Sequence, residues 1–431
     1  MKHPLLKSIG AAVVVVMVAG LGWLVWANRN PDMHQPSVAV TDAGAQIERG
    51  AYLNKLGNCM TCHTVRGGTP YAGGRAVPTP FGTVFSPNLT ADKETGIGSW
   101  SSDDFWRALH DGKSKDGSLL YPAFPYTNFT KMTRADANAM YAFYQTIPAV
   151  KRKNTEPDLR FPYNQRWLLY GWRALYFRPG SYVEDGAQSA VWNRGAYLTQ
   201  GLGHCSACHS PRGDMGGTSL QTELGGGMIP VLSWYAPPLN RNRESGLGAW
   251  ETQHLKTLLA TGVSAQRAIA GPMGEVVGGS MQYWTAQDID AIAQYLKALP
   301  QQMPPPKEDQ ESVLPERQKE ILGNGAKLYE NHCVACHQAN GQGVPGIYPA
   351  LAGSPALTMA GGVNGIHLVL GGGFPPNTKG NPRPYGMPPF GQAMTDADVA
   401  TVLSYVRNTW GNSGNLISPV EVGKYRSRMG E

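Results

Sequence analysis

Charge is scarce in this 431-residue chain: Asp, Glu, Lys and Arg make up 16% of it, and their balance leaves a formal charge of only +6. No dense Lys/Arg run interleaves with aromatics, which excludes a nucleic-acid partner, since binding phosphate needs a concentrated basic face. The 53 Gly and 33 Pro would fit a disordered polymer, but 19 Tyr, 11 Trp, 10 Phe and 15 Met exclude that and point to compact, loop-rich domains. No nucleophile triad, acid/base pair or nucleotide loop stands out, so substrate chemistry is expected to belong to a partner. The length corresponds to about three domains of ordinary size.

Cysteine is scarcer still. All six fall in three Cys-x-x-Cys-His pentapeptides, Cys59 to His63, Cys205 to His209 and Cys333 to His337. Zinc needs a second Cys or His pair at each site, and none remains. A thioredoxin-like pair does not account for a His after every pair, and disulfides between motifs leave the three histidines unexplained. Two thiols three positions apart can both reach porphyrin vinyl groups as thioethers, and the adjacent His then lies under the ring as an axial iron ligand. Three covalently bound haem c groups are therefore expected, attached through Cys59, Cys62, Cys205, Cys208, Cys333 and Cys336, with iron held by His63, His209 and His337.

One long apolar run is present, Ile9 to Ala27, with Lys2 and Lys7 before it and Trp23 and Trp26 at its far end. It approaches the ~20 residues of a spanning helix, and the flanking charges place the rest of the chain outside the cytoplasm. Residues 1–30 are expected to be an N-terminal transmembrane anchor rather than a cleaved signal peptide, because the run exceeds the usual ~7–15-residue apolar region of a signal.

The chain repeats itself. Arg49-Gly50-Ala51-Tyr52-Leu53 leads into the first motif and Arg194-Gly195-Ala196-Tyr197-Leu198 into the second, with a looser copy, Gly325-Ala326-Lys327-Leu328-Tyr329, before the third. Each repeat also ends alike: Thr133, Thr285 and Thr395 read as helix N-caps with Asp136, Asp288 and Asp398 three positions on, a capping-box-like start. An aromatic, Phe143, Tyr295 or Tyr405, lies ten residues after each Thr. The Gly on each opening helix would let it cross closely over the closing one, with that aromatic filling the gap. The reading is mainly α, with three tandem class-I-like cytochrome c domains at 46–153, 186–302 and 316–412 behind the anchor. Pro304 to Asp309 is a stiff separator. The aromatic stretch from Phe161 to Phe177 is expected to pack against two domains, with Arg166 near a haem propionate.

Pro87, Pro237 and Pro349, each two residues before a Leu, are placed to offer a carbonyl to the proximal His. For the sixth ligand, Met387 in Gly386-Met387-Pro388 is the candidate in the third repeat, ahead of Met394. In the second, spacing leaves Met273 and Met281 open. In the first, Phe124 stands where the third repeat has its Met, leaving Met132 or a five-coordinate iron. The other histidines, including His34, His110, His204, His254, His332 and His367, read as surface or loop residues.

The chain resembles the tri-haem cytochrome c subunit of bacterial membrane-bound alcohol, gluconate and related sugar dehydrogenases. The resemblance rests on Arg49 to Leu53, Tyr71-Ala72-Gly73-Gly74, Pro87-Asn88-Leu89-Thr90, Tyr121-Pro122-Ala123-Phe124-Pro125-Tyr126, Gly203 to His209, Ser210-Pro211-Arg212-Gly213, Gly271-Pro272-Met273 and Trp410-Gly411-Asn412. It implies a subunit that takes electrons from a catalytic partner of quinoprotein, flavoprotein or molybdenum type. Electrons would pass to ubiquinone or a terminal oxidase on the periplasmic side of the cytoplasmic membrane. It favours Met273 over Met281, and it implies a Met at position 124, where Phe stands here; Met132 is then the ligand expected for the first iron. The readings set against it are a self-standing or oxidase-associated cytochrome and a haem peroxidase working at an open first site.

Overall fold

The computed structural model describes residues 15, 17–20, 22–26, 28, 42–241, 246–300 and 314–428. The Pro304 to Asp309 separator and His34 lie outside the described residues. Three opening helices, Ala43–Leu56, Ala190–Gln200 and Pro315–His332, each run into a Cys-containing pentapeptide, and three closing helices, Arg134–Gln145, Ala286–Ala298 and Asp396–Arg407, follow in the same order. Strand content is small: Ala76–Thr79 pairs antiparallel with Gly82–Phe85, which pairs with Asp158–Leu159, and Gly227–Ile229 pairs with Trp234–Ala236.

The closing helices start where the sequence places them. The Thr133, Thr285 and Thr395 hydroxyls each accept from the backbone N–H three residues on, satisfying a donor that the first helical turn leaves orphaned. Only Asp398 completes the capping box, accepting from Thr395 N–H at 2.9 Å. In the other two repeats the carboxylate binds an arginine of the opening helix instead, Arg49 on Asp136 at 2.7 Å and Arg194 on Asp288 at 2.8 and 2.9 Å. The third repeat has Asn324 where these arginines stand, so Asp398 is left to cap its own helix.

Helix crossing is as close as the glycines allow. A Cβ on Gly50 would lie 2.0 Å from Ala139 O, and one on Gly195 2.0 Å from Ala291 O; on Gly325 it would lie 2.5 Å from Tyr405 Cβ and 2.6 Å from Thr401 O. Those neighbours are mostly backbone and cannot swing aside. Gly195→Ala is therefore expected to cost about 1–3 kcal/mol or more by forcing the helices apart, read as a lowered thermal midpoint, whereas Gly274→Ala, which meets nothing within 4 Å, should leave it in place.

Contacts divide the chain into two compact units: Met1–Leu53 with Cys62–Val183 and Gly213–Thr218, and Asn54–Thr61 with Glu184–Arg212 and Ser219–Glu431. The second unit thus holds both the second and third repeats. Within it, Asn364 exchanges two hydrogen bonds with the Tyr235 backbone, His367 Nε2 lies 3.0 Å from Ser233 O, and Thr378 donates to Thr261 O. Its third-repeat core gathers Tyr329, Ile366, Val399, Val402, Leu403 and Val406, each full side-chain burial contributing about 1.5–3 kcal/mol.

Two expectations need correction. Among the described residues no helix is long and apolar enough to cross a membrane, so the transmembrane anchor expected over 1–30 is not supported. That segment, apart from residues 15, 17–20, 22–26 and 28, lies outside the described residues. The aromatic stretch after Phe161 is also not packed throughout. Helix Leu169–Tyr176 turns only Leu169, Arg173 and Ala174 inward, while Phe161, Trp167, Tyr170 and Leu175 are exposed. Arg166 lies over the Tyr121 ring and donates to Leu119 O.

Candidate haem sites

Each pentapeptide forms a short helical turn, Cys59–Cys62, Ser206–His209 and Val334–His337, with His63, Cys205 and Cys333 directly adjoining it, so that the paired thiols and the histidine lie together. The same four-part cradle then recurs behind each histidine. The imidazole Nδ1 lies 2.9 Å from Pro87 O for His63, 2.6 Å from Pro237 O for His209 and 3.0 Å from Pro349 O for His337. A carbonyl can only accept, so Nδ1 donates and the Nε2 lone pair is left to face a metal. Each histidine's own carbonyl accepts from a glycine, Gly73, Gly226 or Gly343, at 2.8, 2.8 and 3.0 Å. Each Leu after the proline donates back across the loop, Leu89 to Tyr71 O, Leu239 to Leu224 O and Leu351 to Gly341 O.

Those three glycines were not singled out as site residues from sequence, although Gly73-Gly74 and the Gly225 to Gly227 run were the signal. All have positive φ, at 71°, 80° and 62°. They also press on the proline segment: a Cβ at Gly73 would lie 2.4 Å from Pro87 C, at Gly226 2.8 Å from Pro238 N, and at Gly343 2.7 Å from Pro349 O. Only glycine combines that backbone with that approach.

The chemistry of the donors fits haem c. Burial lowers the pKa of His63, His209 and His337, against the raising effect of the proline carbonyls, which favours the neutral imidazole that binds iron. Burial pushes the Cys205 thiol up to about 12 and the Cys333 thiol up to about 11. Such thiols are poor thiolates, which disfavours zinc binding and disulfide exchange and leaves thioether formation open. Among the described residues no cluster of three or more His, Cys, Asp and Glu could hold a metal ion without a macrocycle.

The distal candidates divide by burial. A sulfur that binds ring-held iron needs one face free of protein atoms. Met273, the first residue of helix Met273–Gly279, is half-buried, as is Met387, whose backbone pairs with Gly373 through hydrogen bonds of 2.8 and 3.0 Å. Met387 packs on the third-repeat core together with Cys333 and Leu351, so the proximal and distal segments converge. Met281 and Met394 are buried, and Met132 is 0% exposed, enclosed on every side. Phe124 is half-buried, its ring 5.2 Å from that of Phe129.

Of the histidines read as surface or loop residues, two are instead buried in helices, His110 and His367. His110 is fully buried in helix Ser102–Asp111, stacked 4.0 Å from Trp106, because a capping box at Ser101 and Asp104 fixes a helix whose inner face carries both rings. His367 stacks on Trp234 at 4.8 Å, and His204 Nε2 lies 3.3 Å from Gly57 O. His332 is exposed, and His254 lies 3.7 Å from Glu251.

Comparison with known proteins agrees with this geometry. The cytochrome c family matches residues 47–148, 193–300 and 322–410, spanning all three cradles. The chain is 36% identical over 398 residues to the cytochrome c subunit of the quinone alcohol dehydrogenase of Gluconobacter oxydans, covering 89% of this chain and 82% of that protein. It is 36% identical to the gluconate 2-dehydrogenase cytochrome c subunit of Pantoea cypripedii, over 85% of this chain and 86% of that one. It is also 39% identical to a subunit of the nicotinate dehydrogenase of Pseudomonas putida, over 93% of this chain but 33% of that longer protein. With three matched regions and relatives aligned along most of their length, the chain belongs to the cytochrome c family and is an electron-transfer protein carrying covalently bound haem c.

Proposed function

We propose that this chain is the tri-haem electron-transfer subunit of a membrane-bound periplasmic dehydrogenase. It takes electrons from a catalytic subunit of quinoprotein, flavoprotein or molybdenum type and delivers them to ubiquinone or the respiratory chain at the periplasmic face of the cytoplasmic membrane. The observation that carries this is the cradle of His, Pro carbonyl, Gly and Leu, present three times in one chain whose relatives include dehydrogenase cytochrome subunits. Bound haem supplies a reversible one-electron couple. The protein's part is to fix each imidazole by its Nδ1–H bond, to hold the thiols on one turn, and to close or leave open the far side. Domains at 46–153, 186–302 and 316–412 are proposed to hold one haem each, through Cys59, Cys62 and His63, Cys205, Cys208 and His209, and Cys333, Cys336 and His337.

Met273 and Met387 are proposed as the sixth ligands of the second and third sites. At the first, the enclosure of Met132 and the half-buried Phe124 favour the five-coordinate arrangement. The ferric protein should then show a methionine-to-iron charge-transfer band from two haems and a high-spin signal from one. Met273→Ala and Met387→Ala should each remove about half of that band, while Met132→Leu should leave it intact; loss of the band in Met132→Leu would return Met132 to the ligand set.

Affinity purification of the tagged chain from its native membranes tests the assignment as a whole. A large catalytic dehydrogenase subunit should co-purify in fixed stoichiometry, and its substrate should reduce the haems. Isolation of the chain alone, or with a terminal oxidase, would instead favour the self-standing or oxidase-associated reading.

A further inference from the structure

The three proximal cradles are alike up to the proline carbonyl and differ in what lies beyond it. A peptide group that accepts through its carbonyl can donate through the N–H of the next residue, and donation there makes the carbonyl a stronger acceptor. In the first repeat that next residue is Asn88, whose N–H donates to Asn154 Oδ1 at 2.7 Å. In the third it is Ala350, whose N–H donates to Gln266 O at 3.0 Å. Gln266 belongs to the second repeat, and Arg267 beside it donates to Ala350 O at 3.2 Å and to Gly353 O, holding the loop against that carbonyl. In the second repeat the next residue is Pro238, which has no N–H to give.

We infer that the peptide units Pro87–Asn88 and Pro349–Ala350 are relays that tune two of the three haems, while the Pro237–Pro238 unit leaves the second untuned. The chains are His63 Nδ1–H to Pro87 O and Asn88 N–H to Asn154 Oδ1, and His337 Nδ1–H to Pro349 O and Ala350 N–H to Gln266 O. A stronger acceptor draws the Nδ1 proton further and makes the imidazole a better donor to iron, which stabilises the oxidised state and lowers the potential. Asn154 and Gln266 are thus positioning residues that act through the peptide and the imidazole without touching the haem. Through Gln266, the second repeat sets part of the electron affinity of the third.

This rests on the haem assignment proposed above, and the test separates the two. The protein, loaded with haem by the cell's own ligation machinery, is titrated with redox mediators and each haem is resolved spectroscopically. Asn154→Leu keeps the side-chain volume but offers no acceptor, and Asn154 is exposed, so the fold should tolerate it. Ala350→Pro copies into the third cradle the Pro-Pro-Leu that the second carries. At fixed ambient potential, Asn154→Leu should raise the reduced-to-oxidised ratio of the first haem alone about two- to fivefold, and Ala350→Pro that of the third haem alone by a similar factor, in keeping with the modest strengthening one bond lends the next. Asn154→Asp, which keeps the acceptor oxygen, should not raise it. Three haems per chain with unchanged ratios in both variants, or an equal shift at all three, would overturn the relay while leaving the haem assignment standing. Fewer than three haems in the unaltered protein would overturn the assignment, and the relay with it.

Discussion

If the chain works as proposed, Cys205→Ala together with Cys208→Ala is expected to leave two haems in place of the proposed three, and to slow electron delivery from the proposed catalytic subunit to quinone roughly 100-fold or more. Cys205 caps and Cys208 lies within the turn that ends at His209, and a Cβ on Gly203 just before them would lie 2.8 Å from Leu198 O. Without the thioethers nothing covalent holds a macrocycle under that imidazole. The pyridine haemochrome per chain, compared with total iron, measures the first effect; quinone reduction by the assembled complex measures the second. Three haems retained in the double variant would show that the second pentapeptide is not an attachment site.

Asp111→Ala is expected to destabilise the first unit by about 3–5 kcal/mol, the cost of leaving a buried charge without its counter-ion. Asp111 and Arg173 are each 1% exposed, and the guanidinium donates to Asp111 Oδ1 at 2.7 Å and to the Asp111 carbonyl. Asn28 Oδ1 and the rings of Tyr126 and Phe177 also surround the guanidinium, but none of them carries a charge, since burial pushes the Tyr126 hydroxyl up to about 12. Lys113 pairs with the other carboxylate oxygen at 2.7 Å and, at 27% exposure, can turn to water when it is lost. Arg173 cannot. The double variant Asp111→Leu with Arg173→Met should recover most of the loss, because no unpaired charge then stays inside. Urea midpoints of the single and double variants decide it, and an additive pair would remove the buried ion pair as the cause.

Much of the site was legible from local spacing. The pentapeptides, the threonine caps and the helix-crossing glycines each depend on neighbours within one helical turn or on one required contact. The relationship of His63 to Pro87 could also be read, because the same proline recurs at the same place in every repeat. The failures have a common cause. His110 was read as a surface or loop residue because one histidine in a polar-looking stretch says nothing of the helix that buries it. The capping boxes were half right, since no local pattern shows that Arg49 and Arg194 take the carboxylates of Asp136 and Asp288. The apolar leader met a composition criterion, but among the described residues no helix is long and apolar enough to cross a membrane.

The amino-acid sequence by itself determined which atoms can bond covalently or through one turn of chain: the thiol pairs beside His63, His209 and His337, the caps, and the lack of an N–H at Pro238. The tertiary structure alone decided what meets those atoms from far along the chain, such as Asn154 on Asn88, Gln266 on Ala350 and the enclosure of Met132. The physical reason is connectivity. Bonds within a turn are fixed by dihedral angles that the residues themselves favour, whereas partners tens of residues apart meet only after the core has packed, and the pattern of side chains that packs it is shared by many arrangements.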